Sequence, residues 1–348
     1  MSKHAYELVK AMASLLISLL LLVSDALSGS PARPSLTRYE FSQIHMGTQF
    51  TIILYAKDAR TATVASNAAF KRVEELDAIM SDYRATSELM MLSSKPGGQW
   101  IKVSDDLFRV LAKSQELARV TGGAFDVTVG PLVRLWRRAR RTGQLPDAQS
   151  LARAIELVGY NKLKLDKKAR SVRLEKTGML LDLGGIAKGY AADEAMSVLK
   201  RHAIRRALVA AGGDIVVSRP PPGTRGWVVG IAPLEPTDEP PRDYLLLHDV
   251  AVSTSGDKEQ SVEIGGRRYS HIVDPRTGLG LTTHISVTVV AGSGMVSDSI
   301  ATAASVLGAE RGLELINSTD GASGIIIQAT EEGTRTFQSK RWSKVTKK

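Results

Sequence analysis

The sequence predicts an α+β fold, with mixed strands and helices in two closely associated lobes and the active site between them. Short β-branched runs such as 50–55 (FTIILY) and 285–290 (ISVTVV) read as strands. Two long segments, 62–80 and 107–120, carry apolar residues at helical spacing. These elements follow one another without a regular βαβ alternation and without an internal repeat, which separates the chain from a parallel α/β sheet.

The elements follow in order. The helix over 62–80 places Ala65, Ala69, Val73, Leu76, Ile79 and Met80 on one face, and the helix over 107–120 stops at Thr121-Gly122-Gly123. A short helix at 154–159 precedes strands at 163–165 and 172–174. An apolar strand at 179–183 leads into Gly184-Gly185 and a helix over 188–201. Strands are expected at 207–211, 215–218, 227–231, 244–247, 250–253, 261–264 and 285–290. A helix over 297–307 follows, and a hairpin of 324–329 with 335–338 closes the chain.

The chain has 348 residues, 43% hydrophobic and 24% charged, the composition of a soluble globular body. Residues 1–28 differ. Lys3, His4 and Lys10 precede an apolar run over 11–23, followed by small residues at Ala26, Ser28 and Gly29. This is the pattern of a signal peptide cut after Ser28, or of an N-terminal anchor that stays attached; either sends the body across a membrane. The expected location is therefore periplasmic, or the outer face of the inner membrane. A Pro/Ser-rich linker over 29–39, a catalytic region over 40–340 and a basic tail over 341–348 complete the organisation.

No cysteine is present, so lipidation, disulfides and thiolate metal sites are excluded, and any metal must use oxygen or imidazole ligands. Lys and Arg number 46 against 36 Asp and Glu, a net charge of +10. The excess concentrates in 134–141 (RLWRRARR) and in the tail. No DNA-binding motif or aromatic–basic interleaving accompanies it, so nucleic acid is not an expected partner. The basic runs read as a solvated helix face and a frayed tail, with attraction to anionic lipid as an added role.

Five segments carry unusual residue choices. In 182–190 (DLGGIAKGY), glycines at a turn into a helix let backbone N–H groups approach an anion, and Lys188 in the first turn suits a phosphate. In 297–302 (SDSIAT), Asp298 and Thr302 are four apart on one helix face. They are suitable Mg²⁺ ligands, although on this segment alone a helix cap at Ser297 or Asp298 is the favoured reading. In 269–278, His271 stands beside an Asp-Pro-Arg-Thr-Gly turn, where a histidine can take a proton at neutral pH. Residues 121–126 set Phe125 behind two glycines, readable as an aromatic contact or as core. Residues 252–257 form a hydroxyl-rich loop ending at Asp257.

In this order, these segments resemble the FAD:protein FMN transferase (ApbE-type) family. The matches are Met46-Gly47-Thr48, 80–84 with Ser87-Glu88, 122–128 with Gly130-Pro131, 181–193, 210–214, 254–256, 270–278 and 297–304. The resemblance implies an enzyme that cleaves FAD, releases AMP, and joins FMN to a Thr or Ser hydroxyl of an exported target protein. It implies FAD contacts at Met46, Tyr83, Ala124, Phe125, Asp126, Asp182, Lys188, His271 and Ile272. Gly185 and Ala301, through their backbones, would join Asp298 and Thr302 around Mg²⁺. His271 or Asp257 would deprotonate the acceptor hydroxyl. Simple FAD hydrolysis to FMN and AMP, and flavin binding without turnover, are the rival readings. The loop 257–260 and the arginine-rich stretch after Trp136 look individual to this protein, able to affect target docking without touching the phosphate chemistry.

Overall fold

The computed structural model describes residues 35–235, 239–241, 243–256 and 260–344. Residues 1–28, Asp257 and the last four residues of the basic tail lie outside this set.

Strand β1 (Thr37–His45) turns at Met46-Gly47 into β2 (Thr48–Ala56), followed by helices α1 (Ala59–Met80) and α2 (Glu88–Ser93). A two-residue strand, β3 (Ile101–Lys102), precedes α3 (Asp105–Val120), α4 (Gly130–Thr142) and α5 (Ala148–Leu157). After β4 (Leu163–Asp166) and β5 (Ser171–Leu174) come α6 (Ala187–Arg201), β6 (Ala207–Ala211), β7 (Asp214–Val217), β8 (Trp227–Gly230) and β9 (Tyr244–Leu247). The chain continues through β10 (Val250–Gly256), β11 (Ser261–Ile264), β12 (Arg267–Ser270) and β13 (Ile285–Ala291). It ends with α7 (Gly294–Leu307), α8 (Ala309–Ser318), β14 (Ser323–Thr330) and β15 (Gly333–Gln338).

Eight strands form one sheet in the order β1-β2-β6-β7-β10-β13-β14-β15, antiparallel at every pair from β2 onward. The α+β expectation holds. Strand β13 is buried along its whole length because both sheet faces are covered. Ile285, Val287 and Val289 face the main core with α1, α6 and α7, while Val290 packs with Trp227, Leu245, Ile325 and Trp342 on the other side. Trp342 is 2% exposed and Arg341 donates to three backbone carbonyls, so the start of the basic tail is anchored rather than frayed. Strand β1 likewise begins inside the segment read as a linker.

Helix α6 is fixed from behind by a polar network. Arg72 on α1 bonds Asp106 at 2.6 Å and Glu194 at 2.8 Å, and Tyr190 donates to Asp106 at 2.6 Å. The N-terminus of α7 is held to α6 by Asp193, whose carboxylate accepts from the backbone N–H of Gly294 at 2.7 Å and of Met295 at 2.9 Å. The apolar run 179–183 is no strand: it crosses Gly130, where a Cβ would fall 2.6 Å from the Leu180 carbonyl oxygen. Burial between elements, not a sheet ladder, explains its composition. No helix among the described residues is long and apolar enough to cross a membrane.

Candidate active site

The β1–β2 turn, the 81–87 loop, α4, the 182–188 turn, the 271–275 turn and α7 converge on an open cleft of about 910 Å³. Its floor is the crossing of α6 and α7. A Cβ on Gly189 would fall 2.1 Å from the Gly294 carbonyl oxygen, and one on Gly294 would fall 2.4 Å from that of Gly189. Only paired glycines permit this approach. It lets the Gly189 N–H donate to Asp298 Oδ2 at 3.1 Å and brings Lys188 Nζ within 3.5 Å of the same oxygen.

Lys188 also lies 2.8 Å from Asp214 Oδ2 at the start of β7. Asp214 and Asp298 are 3% and 4% exposed, so two buried carboxylates share one ammonium. Burial, then the nearby Asp214, pushes Asp298 above the usual carboxylate range. Burial opposes the charge on Lys188, but Asp214 and Asp298 outweigh it and hold its pKa up. Thr302 stands one turn beyond Asp298. Gly185 approaches it so closely that a Cβ there would sit 2.8 Å from Thr302 Oγ1. Ser293 caps α7, with its hydroxyl accepting from Val296 N, so the capping reading of Ser297 and Asp298 is overturned. Ser297 instead bonds Ser253 on β10 at 2.8 Å.

The walls hold the other expected residues. Ser87, fully buried, donates to the Ser81 carbonyl at 2.6 Å and closes the loop that carries Asp82 and Tyr83. Tyr83 is 73% exposed, with the Arg137 guanidinium 4.1 Å above its ring. Arg137 bonds Asp182 Oδ2 at 3.1 Å and pairs with Asp82. Burial, with Asp82 nearby, raises the Asp182 pKa. Met46 adopts φ 50° at the hairpin tip and reaches the cleft edge. Ala124 and Phe125 are both core and wall, 2% and 5% exposed. Asp126 accepts from the backbone and hydroxyl of Thr128 at 2.8 and 2.7 Å, and burial raises its pKa. His271 and Ile272 also line the cleft, and the ring Nδ1 of His271 donates to the Gln260 carbonyl at 3.1 Å.

Met46, Tyr83, Ala124, Phe125, Asp126, Asp182, Gly185, Lys188, His271, Ile272, Asp298 and Thr302 thus meet in one cleft. Ala301 is not among the lining residues: it is wholly buried, and its carbonyl accepts from Ser305 Oγ at 3.0 Å. Of the arginine-rich stretch, Arg137 and Arg140 line the cleft, and Arg140 bonds Gln260 at 3.0 Å. Asp82, Arg137 and Asp214 are site residues to which the sequence assigned no role. For Arg137 the available signal was its helical register with Val133 and Arg140; for Asp214, the Gly212-Gly213 turn that delivers it.

No group of three or more His, Cys, Asp or Glu side chains forms a metal cluster among the described residues. The oxygens gathered at the floor are a carboxylate, a hydroxyl and nearby backbone. Hard oxygen donors with room for water and phosphate suit Mg²⁺, and the anionic excess of Asp214 and Asp298 over Lys188 suits a cation.

A sequence model of the ApbE family matches residues 46–326. The FAD:protein FMN transferase of Haemophilus influenzae is 30% identical over 345 residues, covering 95% of this chain and 98% of its own. That of Klebsiella pneumoniae is 29% identical over 291 residues, 83% of this chain and 89% of its own. The solved flavin transferase ApbE from Vibrio cholerae superposes with a TM-score of 0.80 at 28% identity, over 89% of this chain and 99% of its own. The flavinyl transferase ApbE of Pseudomonas stutzeri gives 0.78 at 27% identity, over 89% and 97%.

Proposed function

The chain belongs to the ApbE family, and from that premise we propose that it is a Mg²⁺-dependent FAD:protein FMN transferase acting on an exported acceptor protein. The observation that carries this reading is the convergence of Gly185, Asp298 and Thr302 beside Lys188 and Asp214 on the cleft floor.

In the reaction, a Thr or Ser hydroxyl oxygen of the acceptor attacks the phosphorus of the FMN half of FAD. The P–O bond to the AMP phosphate breaks, AMP leaves, and FMN remains on the acceptor as a phosphoester. Asp298, Thr302 and the Gly185 backbone would hold the metal, which when bound supplies Lewis-acid stabilisation of the diphosphate charge. Lys188, on the first turn of α6, sits where the helix N-terminus favours phosphate. Its ammonium is shared with two carboxylates, so it is positioned before substrate arrives. Tyr83 and Phe125 offer aromatic surface for the flavin ring, with Arg137 and Asp182 fixing the Tyr83 wall.

His271 takes the hydroxyl proton. Its Nδ1 lies 3.1 Å from the Gln260 carbonyl, and with Nδ1–H donating there Nε2 would be the nitrogen that accepts the proton. Asp257, the other candidate base, lies outside the described residues. Residues 1–28 would direct the body to the periplasm or to the outer face of the inner membrane. Hydrolysis to FMN and AMP would use the same floor, with water in place of the hydroxyl. Mass analysis of an exported-protein fraction incubated with the enzyme, FAD and Mg²⁺ separates the two: transfer leaves FMN on a protein, and hydrolysis releases AMP without an adduct.

A further inference from the structure

We propose that the outer stripe of α4, formed by Arg134, Arg138 and Arg141, is the docking surface for the acceptor protein and takes an acidic segment flanking the acceptor hydroxyl. The proposal rests on the transferase reading above.

Helical geometry divides α4 into three stripes at i, i+4 and i+7. Leu132, Trp136 and Ala139 are buried, 0%, 1% and 2% exposed. Val133, Arg137 and Arg140 line the cleft. Arg134, Arg138 and Arg141 are exposed. The exposed stripe is about 100° around the helix from the cleft-lining one, on the side away from the core. It therefore runs along the cleft's outer rim.

The cleft-lining stripe next to it is tied to the His271 turn through Arg140, and the buried stripe fixes α4 against the same turn. Trp136 donates to the Gly278 carbonyl at 2.8 Å and its ring lies 5.1 Å from that of Tyr269, so α4 is packed onto the turn that carries the histidine. Arg140 bonds Gln260, whose carbonyl accepts from both His271 N and Nδ1. A hydroxyl delivered to His271 would bring its flanking residues across α4.

Beyond Arg141 in the last turn, where a cation suits the helix C-terminus, the charge on this stripe has no ionic partner in the fold. Helix α4 contains no acidic residue. Arg137 is committed to Asp82 and Asp182, but no ion pair reaches Arg134, Arg138 or Arg141 among the described residues. Like charges at i, i+4 weaken a helix, and a solvated helix face ordinarily intersperses both signs. The helix is held by Trp136, by Pro131 in its first turn and by the Gly143 cap. An exposed, single-sign row beside a reactive site matches a partner of opposite charge.

The test uses short rhodamine-labelled peptides with one central Thr flanked by Asp/Glu, by Asn/Gln or by Lys, bound to the full chain and followed by anisotropy. The acidic peptide should bind about tenfold tighter than the neutral one at low salt, a preference that screening removes near ~0.5 M salt. The triple variant Arg134→Glu/Arg138→Glu/Arg141→Glu should reverse the order in favour of the Lys-flanked peptide and leave FAD affinity unchanged. FAD titration reports that the variant's cleft is intact, and Arg138→Gln alone should reduce the preference about twofold. An unchanged peptide order in the triple variant overturns the proposal. So does loss of sedimentation with phosphatidylglycerol vesicles while the peptide order persists, which would make the stripe a membrane contact. Failure of the transferase reading shows separately, as absence of AMP release from FAD by the unmodified chain.

Discussion

Gly189 and Gly294 face each other across the α6–α7 crossing so closely that neither has room for a methyl group: a Cβ on the first would lie 2.1 Å from the carbonyl oxygen of the second. This contact sets the distance between Lys188 and Asp298, and hence the charge arrangement of the cleft floor. Gly189→Ala should lower unfolding stability by about 3 kcal/mol through overpacking against backbone. Gly292→Ala, where nothing lies within 4 Å, should stay within about 0.5 kcal/mol. Urea denaturation of the two variants checks this; equal effects would mean that the helices can separate freely.

Arg137 joins two acidic groups to an aromatic ring. Its removal leaves Asp82 and Asp182 facing each other, with side chains only 20% and 12% exposed. Arg137→Leu should cost about 2 kcal/mol of stability and weaken FAD binding about tenfold, as Tyr83 loses the cation above its ring. Arg137→Lys should recover only part of the loss, because an ammonium cannot bridge both carboxylates while stacking. Flavin fluorescence titration reads the affinity.

Asp193 links stability to pH. Burial raises its pKa from 3.8 to about 6, even though the backbone N–H groups of Met295 and Gly294 pull the other way. A folded-state pKa above the unfolded one favours the protonated carboxyl. Its stabilising contribution is therefore full below about pH 4 and lost as pH rises through about 6. The stability difference between the unmodified chain and Asp193→Asn should fall across that window. Denaturation curves at a series of pH values test it, and a flat difference would contradict the assignment.

Under the proposed function His271 takes the acceptor proton, beside any contact it makes with FAD. His271→Ala should keep FAD affinity within about twofold while slowing adduct formation about a hundredfold, a typical loss for a general base. Unchanged transfer rates would remove it from that role.

Much of this was legible in the sequence, for identifiable reasons. Strand β13 and helix α1 declare themselves because burial writes their full apolar pattern into the chain. Asp298 and Thr302 are readable as a pair because i, i+4 spacing fixes one helix face. Strand β1 is mostly exposed, so its residues carry little apolar signal. The run 179–183 misleads in the opposite sense: it is apolar because it is buried against Gly130, without pairing to any strand. Asp214 meets Lys188 only through the sheet, and Arg137 meets Asp82 and Asp182 only through the packing of α4. Spacing along the chain contains neither distance. The arginines of 134–141 read as one solvated block until helical register separates those that line the cleft from those that face outward.

The most direct test is denaturing-gel flavin fluorescence with peptide mass analysis, after incubating an exported-protein fraction with FAD, Mg²⁺ and either the unmodified chain or Asp298→Ala. The unmodified chain should place FMN on a Thr or Ser of an exported protein with one AMP released per adduct. Asp298→Ala should form none at the same Mg²⁺ concentration, and Thr302→Val should need roughly tenfold more Mg²⁺. AMP release without an adduct, or an adduct formed equally well by Asp298→Ala, would contradict metal-assisted transfer at this cleft.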